Sequence, residues 1–185
     1  MKQLNTDIAL VKDCLRGDIN SQRKFYLRFA PKMLGVCMRY SNSKSDAEDI
    51  LQEGFMKVFM ALHQFNETGS LEGWVRKIIV NVALQYLRKR KIVFEPLKEV
   101  ETMYVSDYSN DRIFQRFEVQ DLLEMMNFLP SGAKVVFNLY VFEELSHKEI
   151  AEKLNITIGT SKSQLFKARS LLRTKFQTKK IANEG

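Results

Sequence analysis

Residues 144–173 read "ELSHKEIAEKLNITIGTSKSQLFKARSLLR". Ser146 caps a short predicted helix, His147 to Leu154, whose inner face is Ile150, Ala151 and Leu154. Asn155 to Thr157 turn the chain, and the Thr157 hydroxyl caps a second helix running from about Ile158 to Lys175. That helix buries Leu165, Ala168 and Leu172. Its other face presents Thr160, Ser163, Gln164 and Lys167, spaced i, i+3, i+4, i+7. A short helix, a tight turn and a longer polar-faced helix make a helix-turn-helix, with the second helix shaped for a major groove. Gln164 has the groups to pair with adenine N6 and N7, and Lys162, Lys167 and Arg169 reach phosphates or guanine. The competing reading is an ordinary helical hairpin in a bundle. Small hydroxyls among several cations, with no carboxylate in the helix, favour DNA.

Working outward, nearly everything else also reads as helix. From Asp46 to Leu62 the apolar positions Ala47, Ile50, Leu51, Phe55, Val58, Phe59 and Leu62 keep helical spacing, with Ser45 and Glu48 as a capping box. After the polar loop "HQFNETGS", a helix opens behind Ser70 with Leu71, Trp74, Val75, Ile78, Ile79, Val82, Ala83, Tyr86 and Leu87 inward. "DIALVKDCLRG" and "SQRKFYLRFAPKMLGVCMRYSN" give two more helices, the latter open to a kink at Pro31. The expected fold is all-α: two small helical domains joined by a flexible linker, the C-terminal one holding the helix-turn-helix. The boundaries fall at 1–92, 93–116 and 117–185, because residues 93–116 have no sustained helical period, an acidic balance and a proline. Fully extended, such a linker spans at most about 80 Å.

Composition narrows the function classes. At 185 residues and 45% hydrophobic, the chain has enough apolar surface for packed cores. No run approaches the roughly 20 apolar residues of a membrane span, and the charged N-terminus is no signal peptide, so a cytoplasmic protein without membrane insertion is expected. Cys14 and Cys37 lack metal-ligand spacing and read as reduced thiols, while His63 and His147 read as surface residues. Neither a cofactor nor a metal is implied. The formal charge of +7 is concentrated in two acid-free runs. One carries Arg76, Lys77, Arg88, Lys89, Arg90 and Lys91. The other carries Lys162, Lys167, Arg169, Arg173, Lys175, Lys179 and Lys180. Two basic surfaces suit two contacts with a nucleic acid.

Against that background residues 45–55, "SDAEDILQEGF", gather Asp46, Glu48, Asp49 and Glu53 with no cation among them. On a helical wheel Asp46, Asp49 and Glu53 share one side, opposite Ala47, Leu51 and Val58, with Gln52 at its edge. A solvated surface, a divalent-cation site and a protein interface are the three readings. An acidic patch repels DNA phosphates, which favours the interface. Converging acids from elsewhere in the sequence are lacking, which disfavours the metal.

The chain resembles the extracytoplasmic-function sigma factors of bacterial RNA polymerase. The resemblance rests on "DAEDILQEGFMKVFMAL" and "FNETGSLEGWVRKIIVNVALQYLRKRK" in the first part. In the second it rests on "LP" at 129–130 and "LSHKEIAEKLNITIGTSKSQLFKARSLL". It implies a promoter-specificity subunit rather than an enzyme, partnered by core RNA polymerase, promoter DNA and an anti-sigma protein. Asp46, Asp49, Gln52 and Glu53 would face the clamp helices of the polymerase's largest subunit. Phe65, Asn66 and Asn81 would lie near bases of the −10 element, with Arg76, Lys77 and Arg88 near its phosphates. Trp74, on the apolar face, reads as core. Thr157, Gly159, Thr160, Lys162, Ser163, Gln164, Lys167 and Arg169 would meet the −35 duplex. Ser161 departs from the pattern, standing where such helices bury a small aliphatic residue. Gln164 departs too, standing where arginine is frequent. Gly54 lowers intrinsic helicity by roughly 1 kcal/mol against alanine. Neither an extra promoter-reading domain nor a C-terminal sensor domain is expected. Two rivals remain: a stand-alone helix-turn-helix regulator, and a nuclease built on Asp46, Asp49 and Glu53.

Overall fold

A computed structural model describes residues 2–67, 69–90, 94 and 124–183. The expected linker, apart from Phe94, and the expected start of the second domain near Phe117 lie outside the described residues. Every regular element among the described residues is helical. The chain divides into two compact units, Met1–Arg90 and Lys91–Gly185.

The first unit holds α1 (Lys2–Leu15), α2 (Ile19–Tyr40), α3 (Lys44–Ala61), a 3-10 turn (Leu62–Gln64) and α4 (Leu71–Lys89). The Asp18 carboxylate starts α2 by accepting from the backbone N–H groups of Asn20 at 3.3 Å and Ser21 at 3.1 Å. α2 continues through Pro31. Proline removes the donor that Leu27's carbonyl would use, but both residues are exposed and water can serve that oxygen.

α3 starts two residues earlier than the capping box predicted from Ser45 and Glu48. Ser43 is the cap, in extended geometry, and its hydroxyl accepts from the Asp46 N–H at 3.1 Å. Asp46 is thereby fixed in the first turn, where α4 needs its carboxylate.

α2, α3 and α4 pack on one another around Phe25, Phe29, Met33, Ile50, Phe55, Val58, Leu71, Val75, Ile79 and Ala83, and α1 lies against α2. Aromatic edges tighten the α2–α3 seam, with Tyr26 meeting Phe55 at 4.7 Å and Phe25 meeting Phe59 at 5.5 Å between centroids. Fully burying an aromatic side chain, as at Phe25 and Phe55, contributes about 1.5–3 kcal/mol. Gly54 is buried where α3 meets α4, and a Cβ there would sit 2.3 Å from Ile79 Cδ1. The glycine that weakens the helix therefore permits the close approach.

In the second unit residues 124–126 are helical, followed by α5 (Ser131–Phe137), a π-helical turn (Asn138–Phe142), α6 (His147–Leu154) and α7 (Ile158–Asn183). α5 and α6 both pack on α7. The core takes in Met126, Ala133, Val136, Phe137, Leu139, Ile150, Leu165, Ala168 and Leu172. α7 runs past the predicted Lys175, because residues 174–183 contain neither glycine nor proline.

Candidate nucleic-acid interface

The helix-turn-helix is held by its two caps and its turn. Ser146 and Glu149 form a reciprocal capping box at the start of α6. Asn155 ends α6 at φ 54, in the left-handed region that asparagine tolerates. Thr157 Oγ1 then accepts from the Thr160 N–H at 2.9 Å and opens α7.

On α7, Thr157, Gly159 and Lys162 are exposed, and Thr160, Ser163, Lys167 and Arg169 are half-buried. By helical spacing Gly159, Thr160, Lys162, Ser163 and Lys167 share the outward side of the first three turns, while Thr157 caps the helix and Arg169 lies at the edge with its guanidinium 5.5 Å over the Tyr140 ring. Gln164 does not share that side. It was expected on the presented face, but only 1% of it is exposed. The inward stripe is Ser161, Gln164, Leu165, Ala168 and Leu172. Residue polarity suggested an outward face, whereas its spacing of three from Ser161 and four from Ala168 turns Gln164 inward.

Ser161 is also fully buried, and its hydroxyl lies 2.9 Å from His147 Nδ1. His147, read from sequence as a surface residue, is instead half-buried and stacked on Tyr140, with ring centroids 4.8 Å apart. Burial, then the nearby Lys162 and Arg169, holds His147 below the usual histidine range and favours the neutral ring.

In the first unit Lys77 and Arg88 are exposed and Arg76 and Asn81 are half-buried. By helical spacing Lys77, Asn81 and Arg88 fall on one side of α4. Asn66 is exposed in a loop whose turn is set by Glu67 at φ 60 and Gly69 at φ 90. Phe65 differs from expectation. It is 7% exposed and packs edge-on to Trp74 at 5.7 Å, so it supports the loop from beneath rather than offering a stacking face. Trp74, expected in the core, is half-buried and forms the outer partner of that pair.

The acidic side of α3 splits in two. Asp49 and Gln52 are exposed, and the strip continues through Met56 and Met60, both exposed. Asp46 turns toward α4. Its carboxylate accepts from the Tyr86 hydroxyl and, in a two-pronged pair, from Arg90 at 2.9 and 3.1 Å. Arg90 also lies 4.7 Å over the Tyr86 ring. The Tyr86 hydrogen bond, then Ser43 and Arg90, hold Asp46 below the ordinary aspartate range despite partial burial. Tyr86 is pushed up to about 12 by burial and by the same carboxylate. Glu53 pairs with Lys57 at 2.9 Å, which lowers its pKa, and Lys57 also donates to Gln85 of α4 at 2.7 Å. Asp46 is thus an internal tie between α3 and α4, not part of the open acidic face. Sequence reading missed this because it counted Tyr86 as an apolar inner residue. Among the described residues no three His, Cys, Asp or Glu side chains come together as a metal site.

Residues 25–92 match Sigma-70 region 2, and residues 119–172 match Sigma-70, region 4. The chain is 28% identical over 188 residues to an ECF RNA polymerase sigma-E factor of Haemophilus influenzae, covering 96% of this chain and 98% of that one. It is 27% identical over 176 residues to an RNA polymerase sigma-H factor of Pseudomonas aeruginosa, covering 90% and 91%. The chain belongs to the extracytoplasmic-function sigma factors.

A solved structure of the sigma factor RpoE with the anti-sigma factor NepR from Bartonella quintana has the same fold. Its TM-score is 0.51 at 20% identity, over 84% of this chain and 96% of that one. In the present sigma factor, the region 2 match takes in most of α2 and all of α3 and α4. The region 4 match ends at Leu172 and so contains the helix-turn-helix. Two sigma regions in order do not favour a stand-alone helix-turn-helix regulator. The chain is a sigma subunit that directs transcription initiation.

Proposed function

We propose that this sigma factor docks on the clamp helices of core RNA polymerase through Asp49, Gln52 and Glu53 on α3. Residues 1–92 act on the −10 element, with Asn66, Arg76, Lys77, Asn81 and Arg88 toward DNA. Residues 117–185 read the −35 duplex through Thr157, Gly159, Thr160, Lys162, Ser163, Lys167 and Arg169, with 93–116 as the linker. The protein is not an enzyme: bond formation belongs to the polymerase. It works in the cytoplasm, and among the described residues no helix is long and apolar enough to cross a membrane. An anti-sigma protein is its expected inhibitor.

The observation that carries this reading is the separation of charge. Exposed Asp49 and half-buried Glu53 on α3 lie in the same unit as the basic side of α4, so one surface suits cationic side chains of a protein and the other suits phosphates. The test adds the purified chain to sigma-free core polymerase and sequences transcripts from a random promoter library. Specific start sites are expected, and Asp49→Lys with Glu53→Lys should abolish them. Tight duplex binding by the chain alone, with no specific transcripts, would sink the reading.

A further inference from the structure

Ser161 sets a physical problem. It lies in the first turn of α7, fully buried, on the stripe that it shares with Gln164 and the apolar Leu165, Ala168 and Leu172, on a helix packed against α6 and α5. A buried hydroxyl without a partner is strongly unfavourable, so the position constrains whatever faces it. The group facing it is His147 Nδ1, 2.9 Å away at the start of α6. His147 is itself restrained: its ring stacks on Tyr140 with planes 28° apart, and the Arg169 guanidinium covers the Tyr140 ring at 5.5 Å. Four side chains thus connect the π-helical turn, α6 and α7.

Apolar contacts such as Ile150 with its neighbours tolerate sliding and rolling, because they have no preferred direction. A hydrogen bond is directional and weakens steeply outside about 2.7–3.2 Å and with bending. The Ser161–His147 bond therefore resists rotation of α7 about its own axis. Thr160 and Lys162 flank Ser161 in sequence, so that rotation is what aims the presented face. A roll of about 20° at the 5–6 Å radius of a helix with its side chains displaces a side-chain tip by about 2 Å. That displacement is enough to lose a hydrogen bond to a base edge.

We infer that His147 and Ser161 are a positioning pair that fixes the rotation of the recognition helix and thereby which −35 sequence this sigma factor selects. The inference rests on the −35 reading given above. Neither residue needs to touch DNA for it to hold.

The test uses holoenzyme assembled from sigma-free core polymerase and the full chain, transcribing a library randomised separately over the −35 and −10 elements. Wild type should show a preference at both elements. His147→Ala should flatten the −35 preference about fivefold, the scale expected for one buried hydrogen bond, while leaving the −10 preference unchanged. His147→Asn places an amide atom near the Nδ1 position and should recover the preference to within about twofold. Ser161→Val should flatten it as His147→Ala does, and combining the two should add nothing further. Ser161→Val keeps the test decisive if His147→Ala fails to fold. A −35 preference untouched by either substitution, or a His147→Asn variant as impaired as His147→Ala, overturns the pair. A wild type with a −10 preference but none at −35 overturns the −35 reading instead.

Discussion

Asp46 shows how one carboxylate can be assigned the wrong neighbour when only its own helix is considered. It sits 20° around the helix from Glu53 on an ideal wheel, so spacing alone groups the two. The structure separates them by partner: Glu53 is bonded along α3 to Lys57, and Asp46 is bonded across to Tyr86 and Arg90 of α4. The Asp46 side chain is only 16% exposed, so the pair is less screened than an open surface ion pair. Asp46→Asn should lower stability at pH 7 by about 1–2 kcal/mol, from losing a charge-assisted hydrogen-bond set. The acid dependence follows from a depressed carboxylate. Its contribution is complete above the ordinary aspartate value of 3.8 and is lost as pH falls through the lower folded value. Urea unfolding from pH 2 to 7 should therefore show the wild-type advantage shrinking below about pH 4. Affinity for core polymerase should stay within about twofold of wild type. A large loss of polymerase affinity with unchanged stability would return Asp46 to the docking face.

At the scale of elements, the α3–α4 contact depends on a glycine that helix propensity disfavours. Gly54→Ala gains roughly 1 kcal/mol of intrinsic helicity. It also drives a Cβ to 2.3 Å from Ile79 Cδ1, and Ile79 is fully buried, where overpacking costs about 1–3 kcal/mol. The net expectation is a loss of about 1 kcal/mol. Valine lacks the Cδ1 atom, so in an Ile79→Val background the same Gly54→Ala change should stabilise by about 0.5–1 kcal/mol. Equilibrium urea unfolding of the four variants decides it: a substitution effect of one sign in both backgrounds would show that the contact is not what requires glycine. Backbone periodicity was enough to place α3, α4 and α6 in the sequence. It could not show that Gly54 faces Ile79, because that contact depends on how two helices cross. The π-helical turn at Asn138–Phe142 was likewise invisible, since one extra residue per turn leaves no compositional mark.

For the molecule as a whole, the all-α architecture and the helix-turn-helix were legible because apolar residues recur at helical spacing in the long segments on either side of residues 93–116. Which of the candidate site residues are exposed was legible less evenly. Exposed cations and small hydroxyls were found where their chemistry and their helical phase agree, as at Lys77, Thr157 and Lys162. Gln164 and His147 were misjudged because residue type and helical phase disagree there, and packing follows phase; Phe65 was misjudged because it lies in a loop, where no helical phase shows which way a side chain packs. The two basic surfaces lie in different units, Lys77 in the first and Lys162 in the second. If both units engage one promoter, each cation should neutralise its own phosphate. The dependence of holoenzyme–promoter affinity on log salt would then fall by about 0.9 for Lys77→Ala and by the same amount for Lys162→Ala, and the double variant should lose both. Fluorescence titration between 50 and 300 mM salt measures this. Additive slopes require simultaneous phosphate contact by both units, because a unit that only folded nearby would leave its slope unchanged. If Lys162→Ala alone left the slope intact on promoters that Lys77→Ala weakens, the second unit would be contributing no phosphate contact at that position, and base contacts or polymerase binding would have to carry its part in promoter choice.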